Sequence, residues 1–405
     1  MRIAVIGGGA AGLAASYAAA SNGAEVVLFE KNEKLGKKLF ISGKGRCNLT
    51  NDSDLETHLK NVVRNPRFLY SAYHALSPQD LCSLIERTGV ELKTERGGRV
   101  FPLSDKSSDV ISAWKKLISE VGVEIRINEC VQSIKKKGDI FSVESASGSA
   151  AFDKVILATG GMTYQATGSD GDGYRFAASF GHTVTRLLPA LVGIKAELPA
   201  SLAGLSLKNV ELSVTQGNKA IFREFGEMLF THTGISGPIV LSASSYLNRL
   251  DLSSLLIRID LKPALSLDTL DARLIREFSA QPNKALRNVM PSLLPKSLIE
   301  PLLEQAEIDP SIPCHSITKE ARRRLSAALK DFRIHPTAFE EFNGAIVTSG
   351  GVSVSEINAK DMQSKLISGL YFAGELLDVD ALTGGFNLQI AFSTGYLAGC
   401  SAANA

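Results

Sequence analysis

RIAVIGGGAAGLAASYAAASNGAEVVLFEK, residues 2–31, decides how the chain begins to fold. Arg2 to Ile6 is a short apolar run of the kind that forms a buried parallel strand. Gly7, Gly9 and Gly12 follow in GxGxxG spacing, then an Ala-rich helix over Leu13–Ser21 and a second strand over Glu25–Phe29 that ends in Glu30. Each glycine has a physical task. Gly7 permits a tight turn, Gly9 lets the backbone come close to a pyrophosphate, and Gly12 lets helix and strand pack together. Ala10 and Ala11 lie in the turn before the helix, whose free N–H groups and positive dipole end suit phosphate. Glu30 is placed to accept hydrogen bonds from a ribose, with Lys31 beside it. A lone GxGxxG is weak, and a merely structural glycine turn would explain it. Strand, helix, second strand and acid in register favour a dinucleotide site, and Glu30 would repel a 2′-phosphate, which leaves FAD and NAD.

The stretch KKLFISGKGRCNLTN, residues 37–51, comes next. Glycines, cations and short polar side chains suit a loop wrapped over a phosphate-bearing ligand. Lys38, Ser42, Gly43, Arg46, Cys47 and Asn48 are its candidate contacts. A solvated basic loop is the blander reading, and the position directly after the ribose acid favours the ligand.

Further along, Asp109–Val121 carries apolar residues at helical spacing, and strand-like pieces follow at Val123–Ile127, Cys130–Ile134, Ile140–Glu144 and Ala151–Leu157. The layout matches many FAD domains, in which the backbone after the first of these strands touches adenine; here that is Val131. The last piece ends in Ala158, Thr159 and Gly160, a turn expected beside the first strand. Gly168–Tyr174 reads as a tight turn near the cofactor that opens a helix. Its acids lack the spacing of a calcium loop, and no metal site is expected.

From Leu191 to Leu261 the pattern is strand-like, and from Pro263 to Phe332 it is helical and polar. The expected organisation is α/β: a split Rossmann-like FAD-binding domain (residues 1–190 and 343–405), an inserted β-barrel-like domain (191–262 and 333–342) and a helical subdomain (263–332). Within the insert, FTHTGISGP (230–238) puts Pro238 in the first turn of a helix capped by Ser236 or Gly237, with His232 in a loop of small residues.

Near the C-terminus, GLYFAGE (369–375) is an apolar strand ending in Gly374 and Glu375, an acid expected by the ribityl chain or the phosphates. Gly384 and Gly385 then precede Phe386, Asn387, Leu388 and a helix of small residues. A glycine pair at a helix start lets backbone approach a flat ring, and the helix end favours the negative charge that a flavin gains on reduction. NAD has no use for this second set, so FAD is the expected cofactor.

Composition excludes other classes. Lys plus Arg number 44 against 42 for Asp plus Glu, a net charge of +2 that provides no field for nucleic acid or an anionic membrane. Arg322–Arg324 reads as a solvated helix face, not an RNA site. Cys47, Cys82, Cys130, Cys314 and Cys400 form no CxxC pair. No membrane span and no signal peptide are read, and a cytoplasmic location is expected.

Four blocks, KKLFISGKGRCNLTN, ATGGMTYQATGSDGDGY, FTHTGISGP and GLYFAGELLDVDALTGGFNLQIAFSTG, together resemble a bacterial family of FAD-dependent oxidoreductases that takes in BaiN-like and aminoacetone oxidase-like flavoproteins. The resemblance spans essentially the whole chain. It implies a split FAD domain with a β-barrel-like insert and a helical bundle. The chain departs from the pattern at Ala381, where Gly is expected, and at Asp361–Lys365, where a TMESK-like run is. Neither touches the inferred FAD contacts, although both weaken transfer of a substrate. The expected reaction is hydride transfer at flavin N5 with a small molecule bound between FAD domain and insert. Oxygen, a second substrate or transiently bound NAD(P)H completes the cycle, since no second GxGxxG is present. An FAD-dependent RNA-modifying or RNA-binding protein, or a non-catalytic flavin-binding protein, is the alternative. His232, Cys47 and Tyr164 are the candidate catalytic side chains, with Tyr371 a further candidate base.

Overall fold

The five-stranded parallel sheet of the computed structural model, which describes residues 1–404, is built around the opening glycine motif. Its strands are β1 (Arg2–Ile6), β2 (Glu25–Phe29), β3 (Glu124–Arg126), β4 (Lys154–Leu157) and β5 (Leu370–Phe372), in the spatial order β5-β4-β1-β2-β3. Apolar side chains fill both faces of its centre, as a sheet covered by helices requires. Helix α1 (Ala10–Ser21) crosses from β1 to β2, α2 (Ser107–Glu120) precedes β3, and α3 (Phe386–Asn404) closes the chain.

Small residues set the spacing of these helices. A Cβ at Gly395 of α3 would lie 2.1 Å from the Ala11 carbonyl oxygen, and one at Gly399 would lie 2.3 Å from that of Ala15. Alanines on α1 and glycines on α3 thus bring two helix backbones into contact, with the N-terminal turn of α1 directly beneath α3. On the same layer Trp114 of α2 is fully buried and stacks on Phe392, ring centroids 5.0 Å apart.

The structure differs from the sequence reading in three places. Ala151–Leu157 is not one strand. Gly148–Phe152 pairs antiparallel with Ile140–Ser145, whereas β4 pairs parallel with β1. The chain changes sheets at Asp153, whose carboxylate accepts the Arg2 N–H at 2.6 Å and whose own N–H donates to the Arg2 carbonyl. Residues 37–51 are also not a continuous loop, because Lys37–Ile41 forms a short helix entered through Gly36 (φ +71). That helix ends where Gly43 and Lys44 turn left-handed (φ +57 and +59). Finally, α1 starts at Ala10, three residues before the apolar periodicity, since small residues carry no periodic signal.

By its internal contacts the chain divides into two compact units, Met1–Ala190 with Phe342–Ala405, and Leu191–Glu341. The second contains a seven-stranded antiparallel sheet with strands from Ile194 to Phe339. Its longest hairpin joins Ser206–Gln216 to Lys219–Phe230 through a two-residue turn at Gly217 (φ +55). Helices Leu267–Ala280, Lys296–Gln305 and Lys319–Lys330 share one hydrophobic cluster with this sheet, including Leu212, Ile257, Leu274 and Leu325. Helix Pro238–Leu247 starts with Pro238 in its first turn and Gly237, not Ser236, as its cap. No helix among the described residues is long and apolar enough to cross a membrane.

Candidate active site

Two of the three GxGxxG glycines sit in tight backbone contacts, and the third does not. Gly7 has φ +105, and a Cβ there would lie 2.6 Å from the Ala158 carbonyl oxygen, so the turn passes tightly under the end of β4. A Cβ at Gly12 would lie 1.8 Å from the Gly7 oxygen, whereas one at Gly9 would meet nothing within 4 Å. Gly12 therefore serves packing, and Gly9 faces open space. Gly9 caps α1 without a side-chain hydrogen bond, and the first turn of α1 has no acid. Its N–H groups and dipole end are left for an anion.

That open space is a cavity of about 550 Å³ lying wholly within the first unit. Gly7, Gly9, Ala10 and Ala11 line it at the start of α1, and Glu30 and Lys31 line it at the end of β2. Lys38, Ser42 and Gly43 come from the basic segment, Val131 from the antiparallel sheet, and Ala158, Thr159, Gly160 and Tyr164 from beyond β4. Gly374, Glu375, Asn387 and Leu388 complete the wall from the C-terminal end, so the N-termini of α1 and α3 open on one space.

Five expected contacts stand outside this wall. Gly12 lies behind the glycine turn. Gly385 (φ +101) packs on the backbone of Thr50, where a Cβ would lie 2.3 Å from the carbonyl oxygen. Asn48, with its amide oriented to satisfy both neighbours, accepts from the Gly385 N–H at 3.0 Å and donates to the Thr50 carbonyl. Arg46 is occupied by Glu95 and by Asp105 at 2.6 Å, and lies over the Phe101 ring at 4.2 Å. Cys47 is fully buried. Asn48 and Gly385 tie the segment to the start of α3, and none of the five lines the cavity.

Of the candidate catalytic side chains, only Tyr164 is on the wall. Burial pushes the Cys47 thiol up to about 12, against a hydrogen bond from Ser42, which keeps it protonated and unreactive. Alkylation of the native protein is expected to leave Cys47 unmodified. Cys130, exposed and on the cavity wall, is expected to react and to be protected by FAD. Peptide mass mapping of the time course checks this, and labelling of both thiols at one rate would contradict it. Tyr371 is buried in β5 and receives a 2.6 Å hydrogen bond from the Gln363 amide, away from the cavity. His232 belongs to the second unit, exposed in the turn closed by the Thr231 N–H to the Gly234 carbonyl at 2.8 Å.

Several charged side chains on the wall are held by named partners. Glu30 accepts from the Gly8 N–H at 2.8 Å through one oxygen, and from the Asn32 N–H (2.8 Å) and side-chain amide (2.6 Å) through the other. Lys31 binds Asp170 at 2.6 Å and Asp172 at 2.9 Å. Burial works against the Lys31 ammonium, and the bonds to both aspartates outweigh it, holding its pKa above the ordinary value. These acids are thereby used by a lysine. Lys38 reaches Glu375 at 2.5 Å and the Thr163 hydroxyl at 2.7 Å, while the Thr348 N–H donates to Glu375 at 2.8 Å. Asn32 and Thr167 are wall residues that motif reading did not single out, and Ser169 lies in the turn expected near the cofactor. Adjacency to Glu30 was the available signal for Asn32.

The residues fit FAD. Thr159 presents a buried hydroxyl on this wall without a protein partner, the Gly9 position leaves room at the phosphate-binding turn, and the second helix N-terminus answers to a ring that gains negative charge. A nicotinamide dinucleotide does not need that second helix end. Fold and cavity together define an FAD-dependent oxidoreductase on a Rossmann-type domain. The chain belongs to the HI0933-like family, whose Rossmann-domain description matches residues 1–401. It is 32% identical to a 3-dehydro-bile acid delta(4,6)-reductase of Clostridium scindens, over 99% of each chain. It is 31% identical to a ribosomal RNA dihydrouridine synthase of Escherichia coli, over 97% of this chain and 95% of that one. The solved 3-ketosteroid delta1-dehydrogenase of Sterolibacterium denitrificans shares the fold, with a TM-score of 0.54 over 99% of each chain at 14% identity.

Proposed function

We propose that this chain is an FAD-dependent reductase that saturates a carbon–carbon double bond conjugated to a carbonyl group in a small molecule, with NAD(P)H as the electron donor. The observation that carries the flavin part is the single cavity on which the N-termini of α1 and α3 both open. The reaction type draws on the two relatives. A 3-oxo group beside a Δ4 bond is an enone, and a uracil ring holds a double bond conjugated to a carbonyl. Both relatives' names describe hydrogen added to such a system. One hydride from NAD(P)H and one proton from solvent would add across the bond, giving NAD(P)⁺ and the saturated product.

Bound FAD supplies two-electron hydride chemistry at its N5. The chain's own residues hold and orient it. Glu30 would take the adenosine ribose and the N–H groups at Ala10 and Ala11 the diphosphate. The α3 N-terminus at Asn387 and Leu388 would face the ring edge that gains charge, where a fixed dipole favours the reduced form. The Asn387 amide is not free for this, since it bonds the backbone of Ala381 in both directions (2.9 and 2.7 Å) and so fixes the entry to α3.

A small substrate is favoured over RNA by the side chains of the one arginine cluster. Arg322 is paired with Asp271 at 2.6 Å, and Arg324 donates to the carbonyls of Ala306 and Glu307, so two of the three arginines of the run are engaged within the protein. The experiment is anaerobic reduction of the FAD-loaded protein by NADH or NADPH, followed by separate addition of a cyclic enone, a uridine-containing RNA, or air. Bleaching of the flavin band and its return with the enone is the expected result. Return only with RNA would move the substrate to nucleic acid, and return only in air would make the protein an oxidase. Absence of bleaching by either nucleotide would overturn the donor assignment.

A further inference from the structure

The geometry points to a latched strap over the adenosine end of the FAD site: the segment Tyr164–Asp172 is the strap, and Lys31 with Asn32 is its latch. The inference rests on FAD as the ligand and is independent of the reaction. The strap's inner side, at Tyr164, Thr167 and Ser169, lines the cavity, while Gln165, Ala166 and Asp170 are exposed, so this wall is one chain thick. Three left-handed residues articulate it: Tyr164 (φ +56), Gly168 (φ +98) and Gly171 (φ +92). A non-glycine residue in that region, as at Tyr164, is uncommon and costs energy, which the surrounding contacts must offset.

The middle and far end of the strap are held by the two residues that follow the ribose acid. Lys31 holds Asp170 and Asp172 at the far end of the strap. The Asn32 amide donates to the Thr167 carbonyl at 3.1 Å in its middle, and a Cβ at Gly168 would lie 2.5 Å from that amide nitrogen, so strap and latch are in close contact. The same nitrogen donates to Glu30 at 2.6 Å. Ribose acid and strap therefore share one side chain, and a ligand that engages Glu30 acts on the residue that keeps the strap shut. By linkage, closing the strap strengthens ribose binding as much as ribose binding closes the strap. A closed cover slows both entry and exit of the cofactor, whereas a plain contact slows exit alone.

That difference is the test. FAD association and dissociation rates are measured on the full chain by flavin fluorescence, with released flavin trapped by an excess of an unrelated apoflavoprotein, alongside hydrogen exchange of residues 164–172 in the FAD-free protein. Lys31→Met and, from the strap side, Asp170→Asn are expected to speed dissociation about tenfold, between what exposed and buried ion pairs are worth. Both are expected to speed association as well and to raise exchange across the strap. Faster dissociation from Lys31→Met and Asp170→Asn with unchanged association and unchanged exchange would reduce the pair to a direct contact and overturn the latch. Unchanged dissociation would overturn it too. A wild-type chain that takes up no FAD would instead sink the cofactor assignment.

Discussion

Gly12→Ala is expected to yield a destabilised protein that retains no FAD. The added Cβ would sit 1.8 Å from the Gly7 carbonyl oxygen, an overlap with backbone and not with a side chain that could rotate away. Relief requires α1 to lift off β1, yet α1 is pinned from the other side by Gly395 and Gly399 of α3. Helix propensity would reward Ala over Gly by about 1 kcal/mol. Overpacking a tight backbone contact costs about 1–3 kcal/mol or more, so the overlap wins. Against a total stability of about 5–15 kcal/mol this lowers the melting temperature by several degrees without necessarily unfolding the chain. The larger effect falls on the cofactor, because any movement of α1 displaces the turn at Gly9, Ala10 and Ala11 that lines the cavity. Thermal melts without FAD and flavin-fluorescence titration separate the two effects. An unchanged melting temperature with full FAD binding would contradict the packing role of Gly12.

Lys38→Met is expected to weaken FAD binding by about thirtyfold and to be partly rescued by Glu375→Gln. Lys38 and Glu375 are about three-quarters or more buried at their side chains (25% and 19% exposed) and share the cavity wall. Removing the lysine leaves a carboxylate with no cation beside the site of a dianionic ligand. Losing one partner of a fully buried pair costs about 3–5 kcal/mol, and an exposed pair is worth under about 1 kcal/mol. The partial exposure here puts the loss near 2 kcal/mol, which is about thirtyfold. In the double variant the stranded charge is gone, so the two losses are expected not to add. Additive losses would show that Lys38 acts on FAD without reference to Glu375.

The βαβ unit was legible because its signals are local. Apolar runs, a glycine spacing and a terminal acid lie within residues 2–31, and hydrogen bonding between neighbouring segments leaves few alternatives. The start of the C-terminal helix was legible as well, although Gly385, read as approaching a flat ring, packs on Thr50 outside the cavity. Reading the basic segment as uniformly ligand-facing failed at Arg46, Cys47 and Asn48. Side-chain type alone does not say whether a cation meets a phosphate or the two acids Glu95 and Asp105.

By itself, then, the sequence determined the class of ligand and most of the pieces that line its cavity. Backbone conformation at Gly7, Gly9 and Gly12 and the two helix starts are local properties, set by what glycine and alanine allow. Tertiary structure alone decided the pairings: Lys38 with Glu375, 337 positions away, and Lys31 with Asp170 and Asp172. An ion pair depends on distance in space, and only the closing of the parallel sheet, with β4 and β5 brought beside β1, makes those distances short.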